Sequence, residues 1–154
     1  MTVRKSSSPT WIIRAAESDS DLERCLPVMA ELRTDLDAKY DVKAFISQVR
    51  QQEAESFRII FLEEEAQVRA LAGYRIMHKL YNRKALYIDD LITRTKDRSK
   101  GYGDGLIDWL VNEAKRQDCA AVELDSGVQR FDAHRFYLRK RMIISSHHFL
   151  LKLT

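Results

Sequence analysis

The stretch Arg98-Ser99-Lys100-Gly101-Tyr102-Gly103 separates an apolar run from an amphipathic one, and its residue types suit an anion. The first N–H groups of a helix have no partner within it, and the helix dipole adds positive potential there. Glycines at 101 and 103 let the backbone approach a phosphate with no Cβ in the way. Arg98 and Lys100 place charge beside it. An ordinary polar turn from strand to helix would read the same way, so the string alone is weak. The acids Asp89 and Asp90 sit in the preceding run, Ala85 to Thr93. Each is a carboxylate able to take up a proton or simply to pair with a cation such as Arg75. Neighbours on a strand point to opposite faces, so at most one is expected to face a ligand. Tyr137 carries a phenol with an ordinary pKa of about 10, which keeps it a proton donor at neutral pH. Beside Phe136, it reads equally as a core aromatic with its hydroxyl at the surface.

Metal chemistry finds no support. His147 and His148 would point to opposite sides of a strand, and His78 and His134 have no partners at ligand spacing. Cys25 and Cys119 lie 94 positions apart, which is neither a disulfide framework nor a metal motif. A reducing, cytoplasmic setting and small packing roles are expected for them.

The elements that must position these residues follow from periodicity. Trp11 to Ala15 reads as a strand. Ser20-Asp21-Leu22-Glu23 reads as a capping box opening a helix that carries Leu22, Cys25, Leu26, Met29 and Leu32, with a kink or a restart expected at Pro27. A second helix is expected after Asp41, with Val42, Phe45, Ile46 and Val49 on one face. Strands follow at Phe57–Leu62, Val68–Met77 and Ala85–Thr93. Residues 106–114 return to helix, Ala121–Leu124 is a brief strand, Phe131–Lys140 a helix, and Met142–Leu153 a last strand. The order β-α-α-β-β-β-α-β-α-β describes a mixed α+β domain.

With 154 residues the chain has room for one domain, taken as 11–154 after a flexible segment 1–10. Hydrophobic residues at 45% and charged residues at 32% describe a globular balance and not a disordered one. No apolar run reaches 18 residues, which excludes a transmembrane helix, and Arg14 breaks the only apolar run near the start, arguing against a secretory signal. The net charge of +3 is localised. Residues 94–101 set four cations against Asp97, and residues 130–141 set five against Asp132, leaving the remainder acidic. Two such patches point to an anionic partner, a phosphorylated cofactor or a nucleic acid, or are simply a solvated basic face. The few aromatics near the patches, in helical phase, weigh against nucleic acid.

The loop at 98–103 resembles the Q/R-x-x-G-x-G/A pyrophosphate loop of the GNAT (Gcn5-related) N-acetyltransferase superfamily. Its surroundings agree in order: Tyr87 to Thr93 looks like the family's fourth strand and Val122 to Asp125 like its fifth. Ala133-His134-Arg135-Phe136-Tyr137 is similar to the A-x-x-F-Y stretch of the following helix. The match is strong over about 85–142. The resemblance implies a mostly antiparallel sheet flanked by helices, with the fourth and fifth strands splayed apart. It implies acetyl-coenzyme A as co-substrate, no metal, and acetyl transfer to a primary amine by direct attack in a ternary complex. Arg98, Ser99, Lys100, Gly101, Tyr102, Gly103 and Asp104 would hold the pyrophosphate. Leu91, Ile92 and Thr93 would pair with the pantetheine arm, one of their N–H groups polarising the thioester carbonyl. Ser126, where relatives often place Asn, and Ala133 and Phe136 would complete the cofactor site. Tyr137 corresponds to the general acid, and Asp89, Asp90 or a water relay would take the amine's proton, with Asp89 favoured. The acceptor would be a small-molecule amine or a lysine or N-terminal amine, and many relatives are homodimers. A non-catalytic acyl-coenzyme A sensor of the same fold is the alternative. One departure stands out. Arg141 occupies the place of a family glycine at the end of the last helix, where a left-handed residue would cost about 1–2 kcal/mol.

Overall fold

The computed structural model describes residues 10–34 and 41–154. Expectations for 1–9, and for the segment 35–40 between the first two helices, lie outside the described residues. Five strands are present: β1 (Ile12–Ala15), β2 (Arg58–Glu64), β3 (Gln67–His78), β4 (Lys84–Thr93) and β5 (Ala121–Leu124). With them are helices α1 (Asp19–Leu32), α2 (Val42–Glu53), α3 (Tyr102–Arg116) and α4 (Phe131–Arg139). The strands lie in chain order in one open sheet. β1 to β4 are antiparallel, while β5 runs parallel to β4 after the α3 crossover. The packing separates the described residues up to 123, with the sheet and three helices, from those from 124 onward, with α4 and the C-terminal segment.

Strand alternation distributes the core. Phe57, Ile59, Phe61, Leu71 and Ile92 share a buried cluster with Leu22, Cys25, Val28 and Met29 of α1 and Phe45 and Val49 of α2. Ile60, Leu62, Ala70 and Ala72, one residue out of phase, are fully buried on the opposite face. There α3 packs against β2, β3 and β4, with Leu106 and Leu110 fully buried and Trp109 edge-on to Tyr74 at 6.0 Å. Burial holds the Cys25 thiol up at about 12, so it packs and does not react.

Three expectations need correction. The first helix starts two residues earlier than the Ser20–Glu23 box. Ser18 is the N-cap, its Oγ accepting from the Asp21 N–H at 3.1 Å while the Asp21 carboxylate accepts from the Ser18 N–H at 3.2 Å. Asp21 also pairs with Arg14 of β1 at 2.9 Å, an anchor that Glu23 does not have. The helix then runs without a restart through Pro27, where one hydrogen bond is forfeited and its buried face keeps the helix on the sheet. The last strand is absent: residues 142–154 form none, and Ile143, Ile144, Phe149, Leu150, Leu151 and Leu153 are exposed. β propensity describes how well a side chain fits a pleated surface, and a strand forms only against a neighbour.

The end of α4 resolves the question of Arg141. This residue adopts φ +64°. The Arg141 N–H donates to the Leu138 carbonyl at 3.0 Å and the Met142 N–H to the Tyr137 carbonyl at 3.1 Å. Those two bonds are the Schellman pair, so the helix closes as glycine would close it, with the left-handed strain carried by an arginine.

Candidate functional site

β4 leads into the basic loop through a buried clamp. After Thr93, the Arg94 N–H still bonds the Arg69 carbonyl at 2.9 Å. A short turn, Thr95–Asp97, then brings the Asp97 carboxylate to Arg94 at 2.5 Å, Lys100 at 3.3 Å and Arg69 at 3.5 Å. Burial alone would raise the Asp97 pKa. Hydrogen bonds from Arg94 and Lys100, with the charges of Arg94 and Arg69, outweigh it and hold the carboxyl below its usual range. Arg98, Ser99 and Lys100 are exposed beyond this clamp.

Gly101 is the N-cap of α3 and sits at φ +87°, with no side chain capping the helix. The first N–H groups of α3 therefore receive no cap from the N-cap side chain, and uncapped N–H groups at a helix start suit an anion. A Cβ at 101 would meet nothing within 4 Å, so the backbone angle demands glycine and the space before the helix is open. Tyr102 turns inward instead. Its ring is buried and its hydroxyl donates to Glu64, which together with burial pushes the phenol up to about 12. Its side chain thus serves the fold, and only its backbone lies at the helix start. Gly103 and Asp104 occupy the first turn, Asp104 exposed. Gly105, which motif reading passed over, is a packing residue: a Cβ there would lie 2.5 Å from the Trp11 ring.

Leu91, Ile92 and Thr93 pair with Ala72, Leu71 and Ala70 of β3 along one edge. On the other side β5 has only four residues against ten in β4. It enters beside Lys84, where the Ala120 N–H donates to the Lys84 carbonyl at 2.8 Å. It therefore falls short of residues 91–93, which is the gap expected from splayed strands.

The acids on β4 behave differently from a regular strand. Gly73 of β3 pairs with Asp90, but Tyr74 pairs with Ile88, so Asp89 is an extra residue in a β-bulge. A bulge breaks the alternation, and both Asp89 and Asp90 line one cavity of about 260 Å³. The expectation that only one would face a ligand is corrected on that ground. Met29 and Arg33 of α1, Phe57 and Ile59, and the α2 face Phe45, Gln48, Val49 and Gln52 form the other walls. Gly73 makes the room: a Cβ there would lie 2.5 Å from Asp90 Oδ2 and 2.7 Å from the Phe57 ring.

Their partners separate the two carboxylates. Both Asp89 oxygens are engaged by Arg75, at 3.0 and 3.1 Å from Nε and 2.6 Å from Nη2. Asp90 is 8% exposed, and only its Oδ1 meets Arg33, from Nε at 2.8 Å and Nη2 at 2.7 Å. Burial raises the Asp90 pKa and Arg33 offsets that only in part. Sequence reading offered no sign of Arg33, whose neighbours in the chain carry no motif.

In the second unit, Tyr137 of α4 is half-buried and edge-on to Phe136 at 5.5 Å, and burial raises its phenol above the ordinary value. Ala133 lies one turn earlier on the same helix. The Ser126 Oγ is buried with no hydrogen-bond partner among the described residues, a state that a ligand's polar group would relieve. In the first unit the uncapped helix start fits a pyrophosphate, and in the second the orphaned hydroxyl fits an amide, both groups that coenzyme A carries. Among the described residues no group of three His, Cys, Asp or Glu is arranged to hold a metal ion.

Residues 21–141 match the model of the acetyltransferase (GNAT) family. An uncharacterized N-acetyltransferase, YhdJ of Bacillus subtilis, is 39% identical over 114 residues, 74% of this chain and 78% of its own. The aminoalkylphosphonate N-acetyltransferase of Salmonella typhimurium is 36% identical over 53 residues, 34% of each chain. The crystal structure of glucosamine-6-phosphate N-acetyltransferase from Arabidopsis thaliana superposes with a TM-score of 0.73 at 24% identity, covering 95% of this chain and 100% of that one.

Proposed function

The chain belongs to the acetyltransferase (GNAT) family, and from that premise we propose that it transfers an acetyl group from acetyl-coenzyme A to a primary amine on a small molecule. The observation that carries the reading is the start of α3, where Gly101 at φ +87° leaves the first N–H groups uncapped and open beside exposed Arg98 and Lys100. Those groups would hold the pyrophosphate, with backbone of Leu91, Ile92 and Thr93 aligning the arm behind it. Bound acetyl-coenzyme A supplies the activated thioester.

This chain's own residues would manage the protons. Asp90 is the better base of the acidic pair, because burial raises its pKa and so makes its carboxylate a stronger proton acceptor. Asp89 is held in the fork of Arg75 and is assigned a positioning role. Asp90 takes a proton from the acceptor ammonium, freeing the nitrogen lone pair. The new C–N bond forms as the C–S bond breaks, Tyr137 delivers its proton to the departing sulfur, and the second proton shed by the acylated nitrogen restores the phenol, leaving Asp90 to release the first to solvent. Desolvation keeps that phenol protonated well past neutrality. The Salmonella relative is named for a small amine acceptor, which supports a small molecule here over a protein.

Titration calorimetry with acetyl-coenzyme A tests the reading, with Gly103→Asp as control. Saturable binding at one site per chain is expected, weakened at least about 100-fold when a negative side chain enters the loop. Absence of binding by the unmodified protein would overturn it. Binding with no turnover of any amine would leave only a sensor of acyl-coenzyme A.

A further inference from the structure

The cavity at the β4 bulge carries a charge arrangement that a simple amine would not match. Three of its lining side chains are charged: Arg33, Asp89 and Asp90. Asp89 is closed on itself with Arg75, which spends its remaining donors on Glu55 at 3.0 Å and Gln52 at 3.0 Å. The Asp90–Arg33 pair is different. Two guanidinium nitrogens converge on the single oxygen Oδ1, a weaker arrangement than the two-oxygen fork at Asp89, while Nη2 also donates to the Asp89 carbonyl at 2.9 Å. Arg33 is the C-cap of α1, its side chain 48% exposed, whereas the Asp90 side chain is 10% exposed. The cation is therefore nearer solvent and the anion deeper.

A purely cationic ligand must compete with that guanidinium for Asp90. A ligand with an acid group at its far end meets Arg33 with matching charge and leaves neither member of the pair without a partner. Met29, Phe45, Val49, Phe57 and Ile59 line the same cavity and provide apolar wall suited to a short alkyl chain. At about 260 Å³ the cavity is smaller than the roughly 300–1,000 Å³ of drug-sized sites.

Resting on the acetyl-transfer reading above, we propose that the acceptor is a small zwitterion. Its terminal primary ammonium replaces Arg33 on Asp90, and its carboxylate or phosphonate is taken by the released Arg33. Deprotonated there by Asp90, the nitrogen is the one acetylated.

The test compares 3-aminopropanoate, 3-aminopropylphosphonate, propylamine and 1,3-diaminopropane, by acetyl-transfer kinetics and by calorimetry in the presence of coenzyme A. At least one acid-bearing amine should exceed propylamine in kcat/KM by about 10- to 100-fold, as a hydrogen-bonded charge at Arg33 implies. Which acid wins identifies the source of the anion. In Arg33→Met that ratio should fall toward one, and Arg33→Lys should keep part of it; melting curves establish that both variants fold. A ratio near one in the unmodified protein, a preference for the diamine, or an Arg33→Met ratio unchanged from that of the unmodified protein would overturn the proposal. Should no amine turn over, calorimetry still decides. Acid-bearing amines bound by the unmodified protein and not by Arg33→Met would uphold this site while refuting acetyl transfer, and no binding of them would refute the site while acetyl-coenzyme A binding stands apart.

Discussion

Gly73→Ala puts the acceptor site to its most direct test, because the residue touches no ligand and yet sets where Asp90 and Phe57 sit. A Cβ at 73 would lie 2.5 Å from Asp90 Oδ2, 2.7 Å from Phe57 Cζ and 2.8 Å from its Cε2. Restoring ordinary contact at 3.4 Å requires the carboxylate to move by about 0.9 Å, or the ring to move by a similar amount. Asp90 is restrained by Arg33 at 2.7 Å, and Phe57 is 4% exposed with Arg75 stacked 5.2 Å from its centroid, so neither yields freely. Overpacking of this kind costs about 1–3 kcal/mol. At this chain length each kcal/mol lowers Tm by about 2–4 °C. A misplacement near 1 Å at a reacting group costs on the order of 100-fold in rate. We therefore expect kcat/KM for the acceptor to fall about 100-fold in coupled assays of thiol release. Calorimetric affinity for acetyl-coenzyme A should stay within about twofold, because the 98–103 loop lies on a different element. A variant whose Tm falls while kcat/KM stays within twofold would refute the reasoning, since Asp90 and Phe57 would then have no part in the acceptor site.

Other perturbations follow from the same structure. Tyr137→Phe should lower kcat by about 100- to 1,000-fold with cofactor affinity retained; because burial raises this phenol above 10, its ionisation should produce no fall in kcat between pH 7 and 9, and a limb there would contradict the assignment. Asp97→Asn should destabilise the protein through the pairs with Arg94, Arg69 and Lys100. Since the folded pKa of Asp97 is lowered, its contribution is fully present above the unfolded value near 3.9 and is lost as pH falls through the folded one. The gap between the two proteins in urea melts should thus be constant from pH 5 to 7 and shrink below pH 4; a gap unchanged at pH 3 would refute it. Arg141→Gly removes left-handed strain of about 1–2 kcal/mol, partly offset by the entropy of glycine. A gain near 1 kcal/mol, or 2–4 °C in Tm, is expected, and a loss would show that the side chain contributes something the helix ending does not reveal.

The elements were legible where local physics decides them. β3 and β4 were found to within a residue or two at each end because their apolar runs are long and bounded by polar turns. Asp41 was recognisable as a cap, and its carboxylate does accept from the Ala44 N–H at 2.8 Å. The 98–103 loop could be read because anion binding by a helix start depends on backbone and glycine at consecutive positions. The start of α1 lies two residues before the Ser20–Glu23 box because Ser18 is the cap, and Asp21, its partner there, is also held by Arg14 of another element. The C-terminal segment was misread because pairing, and not propensity, makes a strand.

What the chain order determines by itself is therefore the succession of strands and helices, the glycine-and-cation loop, and the presence of a phenol and two acids at places where acetyl transfer could use them. Those features depend on residues close in sequence, where period, capping and backbone freedom operate. Tertiary structure alone decided that both acids reach one cavity, because a bulge is set by the register between β3 and β4 and not by β4 itself. It also decided how each acid is held. Arg75 is 14 residues from Asp89 and Arg33 is 57 from Asp90, and only folding brings the first to both oxygens and the second to one.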